Sequence, residues 1–301
     1  MDLAFLSFEV LLTIISTSIA WLMLRFATGS SKYAWALSLA IGYTIGHISL
    51  IASHGLEVET FFQKLSAWIA ALPSAGYAVF RPKLAVDWMP LGTLLAGLVS
   101  VNAAVFGMER LITIVGASLI SVLLGFELAG STIADTSALF SLTSGLPVLC
   151  GMAVIWIGWL SLQRSTMLTS EEESSSWSWI SSVAILMISI IFVLWISGAQ
   201  MFAKFGIMIF ATLLGAMLVS VVGKGTLHIR YAGACIASAS LGLLLSGWWF
   251  TDLSWYPVPI LLIGFAAVGF WLPQRLSKMP YARTSISVVC SVAAMVVTAL
   301  V

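Results

Sequence analysis

The sequence GYTIGHISLIASHGLEVE, residues 42–59, ends a long apolar run and is the starting point for predicting the fold. The run extends over residues 33–54, and about 20 mostly apolar residues are enough for one helix to cross a bilayer. It contains two of the three histidines of the chain and a Gly-x-x-x-Gly pair, Gly42 and Gly46. The stretch therefore predicts a membrane-spanning helix that carries polar chemistry close to one of its ends.

The composition of the whole chain agrees with a membrane protein. Hydrophobic residues make up 60% of the 301 residues and charged residues 8%, whereas a soluble domain has about 25% charged residues. Inside a bilayer, helices satisfy every backbone polar group within one segment. The predicted fold is therefore all-α, a polytopic integral membrane helical bundle that forms a single membrane domain over residues 1–301. The net charge of +1 leaves no basic face for a nucleic acid.

Ten apolar runs along the chain predict about ten transmembrane helices. They cover residues 3–25, 33–54, 88–108, 111–129, 139–162, 177–198, 205–222, 229–249, 256–272 and 284–301. Tryptophans near several predicted ends, among them Trp35, Trp179 and Trp255, are typical of an aromatic belt at the membrane surface. We therefore expect a multi-pass protein of the cell membrane, with the lipid bilayer as its first partner.

The distribution of Lys and Arg predicts the orientation of the helices. With ten spans and the N-terminus outside, nine of the 13 basic residues fall inside and four fall outside, as the positive-inside rule requires. The segment 273–283, with Arg275, Lys278 and Arg283, contributes most to this difference. Both termini are therefore predicted to lie outside.

Residues 61–80, between the second and third predicted spans, do not fit the pattern of a simple span. One helical face is apolar, and Pro73 is expected to end the pattern; the face consists of Phe61, Leu65, Trp68, Ile69 and Leu72. An interfacial helix explains this segment best. Two alternatives stay open, an eleventh span that would reverse every later helix, and a re-entrant hairpin broken at Pro73 and covered by protein.

The segment QRSTMLTSEEESSS, residues 163–176, is polar and of low complexity. Ser and Glu favour a flexible, solvated segment, so a polar cytoplasmic linker is predicted here. It separates a first half, residues 1–162, from a second half, residues 177–301, with five predicted helices each. A 5+5 arrangement inverts the second half relative to the first, as in transporters built from inverted repeats.

A few ionisable or amide side chains fall inside the predicted spans, where such groups are costly and often functional. Glu9 and His47 both lie roughly 10 Å from the outer ends of the first two helices, from the helical rise per residue. The two side chains are thus candidates to share a proton or to hold a cation. Asn102 is predicted to be a buried amide, and Glu127 a carboxylate near an outer boundary.

Further polar residues are predicted near the same outer surface. His54 follows His47 by two helical turns, on the same face. With Glu57, Glu59 and Asp87 these groups can form an acidic vestibule that attracts cations, although carboxylates at a boundary are usually only solvated. No cofactor is predicted. A metal site stays open, since the histidine spacing is longer than that of a helical zinc pair.

Two functions follow as hypotheses from this pattern. The first is a small-solute transporter in the form of a proton- or cation-linked carrier, with Glu9 and His47 as its coupling pair. The second is a non-transporting scaffold, sensor or complex subunit that binds lipid or partner helices, either as a homo-oligomer or with another membrane protein. Gly42 and Gly46 are assigned to helix packing in both cases, because small residues let helices approach closely. No motif of an enzyme is visible.

Overall fold

The computed structural model forms a bundle of α-helices. It describes residues 3–28, 31–54, 56, 60–80, 82, 87–130, 142–169, 173–222, 229, 231–251, 253, 255–269 and 281–300. Over these residues there are eleven helices and no strand. They are α1 Leu3–Thr28, α2 Ser31–Ser53, α3 Phe61–Phe80, α4 Trp88–Val105, α5 Glu109–Gly130, α6 Leu142–Thr169, α7 Glu173–Ile196, α8 Gln200–Val222, α9 Ala232–Phe250, α10 Pro257–Gly269 and α11 Ala282–Leu300.

Seven of these helices are long and apolar enough to cross a membrane, namely α1, α2, α6, α7, α8, α9 and α11. Two more, α4 and α10, are apolar but shorter over their described residues. The predicted all-helical class is therefore confirmed, and the molecule is consistent with a helical membrane bundle.

Helix α9 lies in the middle of the bundle and contacts α2, α4, α6, α7 and α8. The first half of this helix is rich in Ala, Gly and Ser, so neighbouring backbones approach it closely. A Cβ added to Gly233 would lie only 2.6 Å from the backbone nitrogen of Gln163 on α6. The Gln163 side chain accepts a hydrogen bond from the backbone N–H of Ala234 at 3.0 Å, which satisfies a donor in the first turn of α9.

Helix α3 packs against one end of α1 and of α2. Positions of α3 from Leu65 to Ala75 pack in one cluster with Phe5 of α1 and with the last turns of α2. The Trp68 indole N–H donates to the carbonyl of Ser49 at 3.1 Å. The helix continues unbroken past Pro73 to Phe80, so the predicted stop at Pro73 and the hairpin broken there are wrong. Pro73 is exposed, and solvent can satisfy the carbonyl that loses its backbone donor.

The predicted linker over residues 163–176 is largely helical. Helix α6 continues to Thr169 and α7 begins at Glu173. The hydroxyl groups of Ser165 and Thr166 donate to backbone carbonyls of their own helix at 2.8 Å. Bonds of this kind satisfy polar side chains within a helix, which explains why the polar composition does not interrupt α6.

The aromatic belt is not supported at two of its predicted positions. Trp35 and Trp179 are fully buried, and the Trp179 indole N–H donates to the Ser165 hydroxyl at 2.8 Å. Trp255, in contrast, is exposed. Trp35 and Trp179 thus fill the interior, because a large indole ring contributes more apolar contact there than at a surface.

Candidate functional site

Helices α1 and α2 run antiparallel and touch through glycines and threonines. A Cβ on Gly46 would lie 2.7 Å from Thr13 Oγ1, and Gly42 faces Thr17 in the same way. The predicted packing role of Gly42 and Gly46 thus has a structural basis. This register places Glu9 level with Leu50 near the end of α2, about 4.5 Å along the axis from the level of His47.

Helix α8 runs parallel to α1 on the same side of the bundle. Thr13 Oγ1 lies 3.3 Å from Met208 Sδ, and the Ser18 hydroxyl donates to the carbonyl of Gly215 at 3.2 Å. Glu9 lies one helical turn before Thr13 on α1, and Lys204 lies one helical turn before Met208 on α8. Lys204 is therefore level with Glu9. We call this part of the molecule, defined by Glu9, Ser53 and Lys204, the Glu9 end of the bundle.

Glu9 is a carboxylate buried between helices, with 2% of its surface exposed. Its Oε1 atom has no hydrogen-bond partner, and the Ser53 hydroxyl lies within hydrogen-bonding reach of the carboxyl group. Lys204 and Lys64 are the cations that act electrostatically on it. Buried charges are normally paired, and these two lysines supply the positive charge that acts on Glu9.

Lys64 brings α3 into this group. Its ammonium nitrogen lies 4.8 Å from the ring centre of Phe5, one turn before Glu9 on α1. A cation over an aromatic face is stabilised by the ring quadrupole. The Glu9 end therefore combines side chains from four helices: α1, α2, α3 and α8.

His47 is fully buried in an aromatic environment. Its ring stacks on that of Phe205 with centroids 4.2 Å apart and an interplanar angle of 16°. Tyr43 Oη lies 3.4 Å from Nδ1, and Nε2 has no partner. Glu9 and His47 therefore lie within one helical turn of each other in depth, but no hydrogen bond joins them.

A small cavity continues from this region into the centre of the bundle. It measures about 20 Å³ and is lined by Tyr43, Thr93 and Thr212 among mostly apolar residues. A volume of this size accommodates about one water molecule. Tyr43 therefore lines this cavity and also lies beside His47.

The other predicted site residues lie apart from this group. Asn102 is exposed and donates to the carbonyl of Leu98 in its own helix at 2.9 Å, so the expected buried amide is wrong. Glu127 is half-buried on α5, which packs against α4, α6 and α9. His54 is exposed after the end of α2. Glu57 and Glu59 lie outside the described residues, so the acidic vestibule stays a prediction.

Sequence reasoning missed Lys64, Lys204 and Phe205 as neighbours of the candidate site. The sequence did carry a signal for part of the candidate site. Glu9, Thr13 and Thr17 recur every four residues on an apolar helix and thus share one face. Lys204, Met208 and Thr212 repeat the same spacing on α8. In the part of the chain that the structure describes, no three His, Cys, Asp or Glu side chains form a metal-binding group.

Comparison with protein-family models, with curated proteins and with solved structures finds no match to this chain.

Proposed function

We propose that this protein is a small-solute transporter linked to proton or cation movement, with Glu9 as its coupling group. The observation that carries the proposal is the burial of the Glu9 carboxyl group inside a candidate span, with one oxygen unpaired and Lys204 at the same level. Intramembrane carboxylates commonly mark ion pathways and proton relays. Protonation of Glu9 removes a negative charge at the level of Lys204, and this change in local charge can be linked to solute binding.

His47 and Tyr43 support the proposal as a continuation of the polar path. The unpaired Nε2 of His47 and the hydroxyl group of Tyr43 lie between the Glu9 end and the central cavity. Imidazole and phenol groups both donate and accept hydrogen bonds. The cavity has room for about one water molecule, which would extend the path toward Thr212, and we assign His47 to proton transfer along this path.

In the proposed topology ten helices span the cell membrane and both termini lie outside. The ten helices are α1, α2 and α4 to α11. Helix α3 is assigned to the membrane interface, because it packs against the ends of α1 and α2 and exposes an apolar stripe; the stripe comprises Phe62, Ile69, Tyr77 and Phe80. The 5+5 inverted repeat stays a prediction. Helix α7 packs along α11, yet the corresponding pair α1 and α6 has no comparable packing over the described residues.

Reconstitution tests the coupling role of Glu9. The full chain in liposomes with an internal pH dye is exposed to a proton gradient and to candidate small solutes, and Glu9→Gln is compared with the wild type. The amide keeps the shape of the side chain but cannot take up a proton, so we expect proton flux to fall at least tenfold. Glu127→Gln is the matched control, because Glu127 lies on α5, which packs away from α1 and α2. Unchanged flux in Glu9→Gln, with normal insertion, would rule out the coupling role.

A non-transporting membrane module is the second candidate, favoured by the close packing of α1 against α2 and α8. Cβ atoms at Gly42, Gly46 or Gly215 would meet neighbouring atoms at less than 3.0 Å, which is typical of a rigid seam between helices. Such a module acts by binding lipid, a second copy or another membrane protein. Stable co-purification with a defined membrane protein, together with no flux of any tested solute, favours this candidate.

A further inference from the structure

A groove of about 290 Å³ lies on the side of the bundle between α6, α9 and α10. Its walls are almost wholly apolar and include Val154, Gly158 and Leu241. Ile157 and Ile263 form its rim and are 55% and 60% exposed, so the groove opens sideways from the bundle. In a membrane-spanning bundle such an opening faces lipid chains.

Ser161 is the polar residue that lines this groove. It is 3% exposed, and its hydroxyl group has no hydrogen-bond partner. Most buried polar groups in proteins are hydrogen-bonded, and neighbouring Ser165 donates to the carbonyl of Leu162. The unpaired hydroxyl of Ser161 is therefore available to donate to an acceptor at the groove.

Along the face of α6 that borders the groove, apolar, hydroxyl and charged side chains follow one another toward the end of the helix. From the rise per residue, the apolar wall from Val154 to Ser161 covers about 10 Å, and Arg164 follows about 4.5 Å beyond Ser161. Arg164 is exposed and lies two residues before the end of its candidate span at Thr166. An apolar channel, a hydroxyl donor and a guanidinium group thus follow one another toward the end of the helix.

We propose that this groove binds a phospholipid. One acyl chain fills the groove along Gly158, an ester carbonyl accepts a hydrogen bond from Ser161, and the phosphate is held at Arg164. Arginine suits phosphate oxygens because its guanidinium can donate two parallel hydrogen bonds.

Charge at the same end of the bundle favours an anionic headgroup. Gly269 at the end of α10 contacts Ser161, and α11 begins close by with Arg283. Clusters of basic residues at a membrane boundary attract anionic lipids, and this site does not depend on whether the protein transports a solute.

Lipid binding is measured on the full chain, purified in detergent and stripped of lipid. Native mass spectrometry counts bound phosphatidylglycerol, and thermal melting reports the stabilisation that binding gives. Inorganic phosphate and the detergent alone are separate arms, which distinguish a phospholipid from a free anion and from a bare alkyl chain. We expect one tightly bound phosphatidylglycerol and a higher melting temperature, with no effect of phosphate.

Three variants assign the binding to this groove. Ala266→Phe fills the groove and should abolish the tight binding, while Ser161→Ala and Arg164→Gln should each weaken it about tenfold, which corresponds to ~1.4 kcal/mol. Ser161→Ala should leave the lipid-free melting temperature unchanged or higher, because the hydroxyl it removes is unpaired. Ser189→Ala, which removes a bonded hydroxyl on α7, and Arg110→Gln, an exposed arginine on α5, are the controls.

The opposite results overturn the proposal. Equal phosphatidylglycerol binding in wild type, Ser161→Ala and Arg164→Gln would exclude the assigned contacts, even if Ala266→Phe fails to fold. Stabilisation by inorganic phosphate alone would show that the basic residues bind a free anion. Stabilisation by detergent alone would show that the groove binds a bare alkyl chain. Unchanged proton flux in Glu9→Gln with intact lipid binding would overturn the proposed function and leave this site standing, so the two proposals can fail independently.

Discussion

Replacing Gly42 by alanine tests the register of α1, α2 and α8 directly. On the present backbone the new Cβ would lie 2.8 Å from Thr17 Cβ and 3.1 Å from Thr212 Cγ2, and closer still to Thr17 Oγ1. Thr17 Oγ1 donates to the carbonyl of Thr13 at 2.7 Å, so the threonine cannot rotate away without losing that bond. The substitution therefore forces α1 and α2 apart or strains Thr17.

The expected cost follows from opposing contributions. Overpacking a tight core costs roughly 1–3 kcal/mol, and the lost hydrogen bond adds about 1 kcal/mol. Alanine recovers about 1 kcal/mol of helix propensity relative to glycine. The net destabilisation is therefore about 1–3 kcal/mol, which lowers the melting temperature by roughly 2–5 °C for a chain of this size.

The assay is thermal melting of the full chain in detergent, followed with a thiol-reactive dye. Cys235 and Cys290 are buried and free, so they react when the bundle opens. Gly76→Ala on α3 is the matched control, because a Cβ there meets no atom within 4 Å and should leave the melting temperature unchanged or slightly higher.

A double variant tests the identity of the clashing side chain. Thr17→Ala in the Gly42→Ala background removes Oγ1 but keeps the Cβ at 2.8 Å, so we expect about half of the lost stability to return. Contacting residues show such non-additivity in double-mutant cycles. If Gly42→Ala melts like Gly76→Ala, or if Thr17→Ala adds its own cost in full, the assigned register is incorrect.

Two further predictions concern the start of α9. Gln163→Leu leaves the buried N–H of Ala234 without its acceptor and should cost about 1–3 kcal/mol in a melting experiment; a neutral result would contradict the capping role. Tyr231→Phe removes the hydrogen bond that its hydroxyl donates to Glu109 and should cost roughly 1–2 kcal/mol, while Glu109→Gln, which keeps an acceptor, should cost less. An equal loss in both variants would show that the charge of Glu109 acts through another contact.

The candidate site was only partly accessible to sequence reasoning. The spacing of residues along a helix fixes their depth, so Glu9 and His47 were expected at similar depths. In the structure their depths differ by about one helical turn. Spacing does not fix which helix lies opposite each face. Lys204 becomes the neighbour of Glu9 through the contact of Thr13 with Met208, 195 residues away in the sequence, and His47 stacks on Phe205 instead of meeting a carboxylate.

The burial of polar residues depended even more on tertiary contacts. Asn102 was expected to be buried because it lies in an apolar run, yet its side of α4 is exposed. Trp35 and Trp179 were expected at the surface from their positions near helix ends, yet both are buried. A hydropathy pattern reports that a helix is apolar, but it cannot tell a lipid-facing side from a protein-facing side, because both are apolar in a membrane.

The sequence by itself determined that this chain is an all-helical protein with several helices long enough to cross a membrane. That follows from its scarcity of charge and from runs of about 20 apolar residues, because only internally bonded backbones are stable in lipid. The tertiary structure alone decided that α3 packs against the ends of α1 and α2, that Glu9 lies level with Lys204 and that α6 and α10 leave a groove at Ser161. These features depend on contacts between residues far apart in the chain, which local composition does not encode.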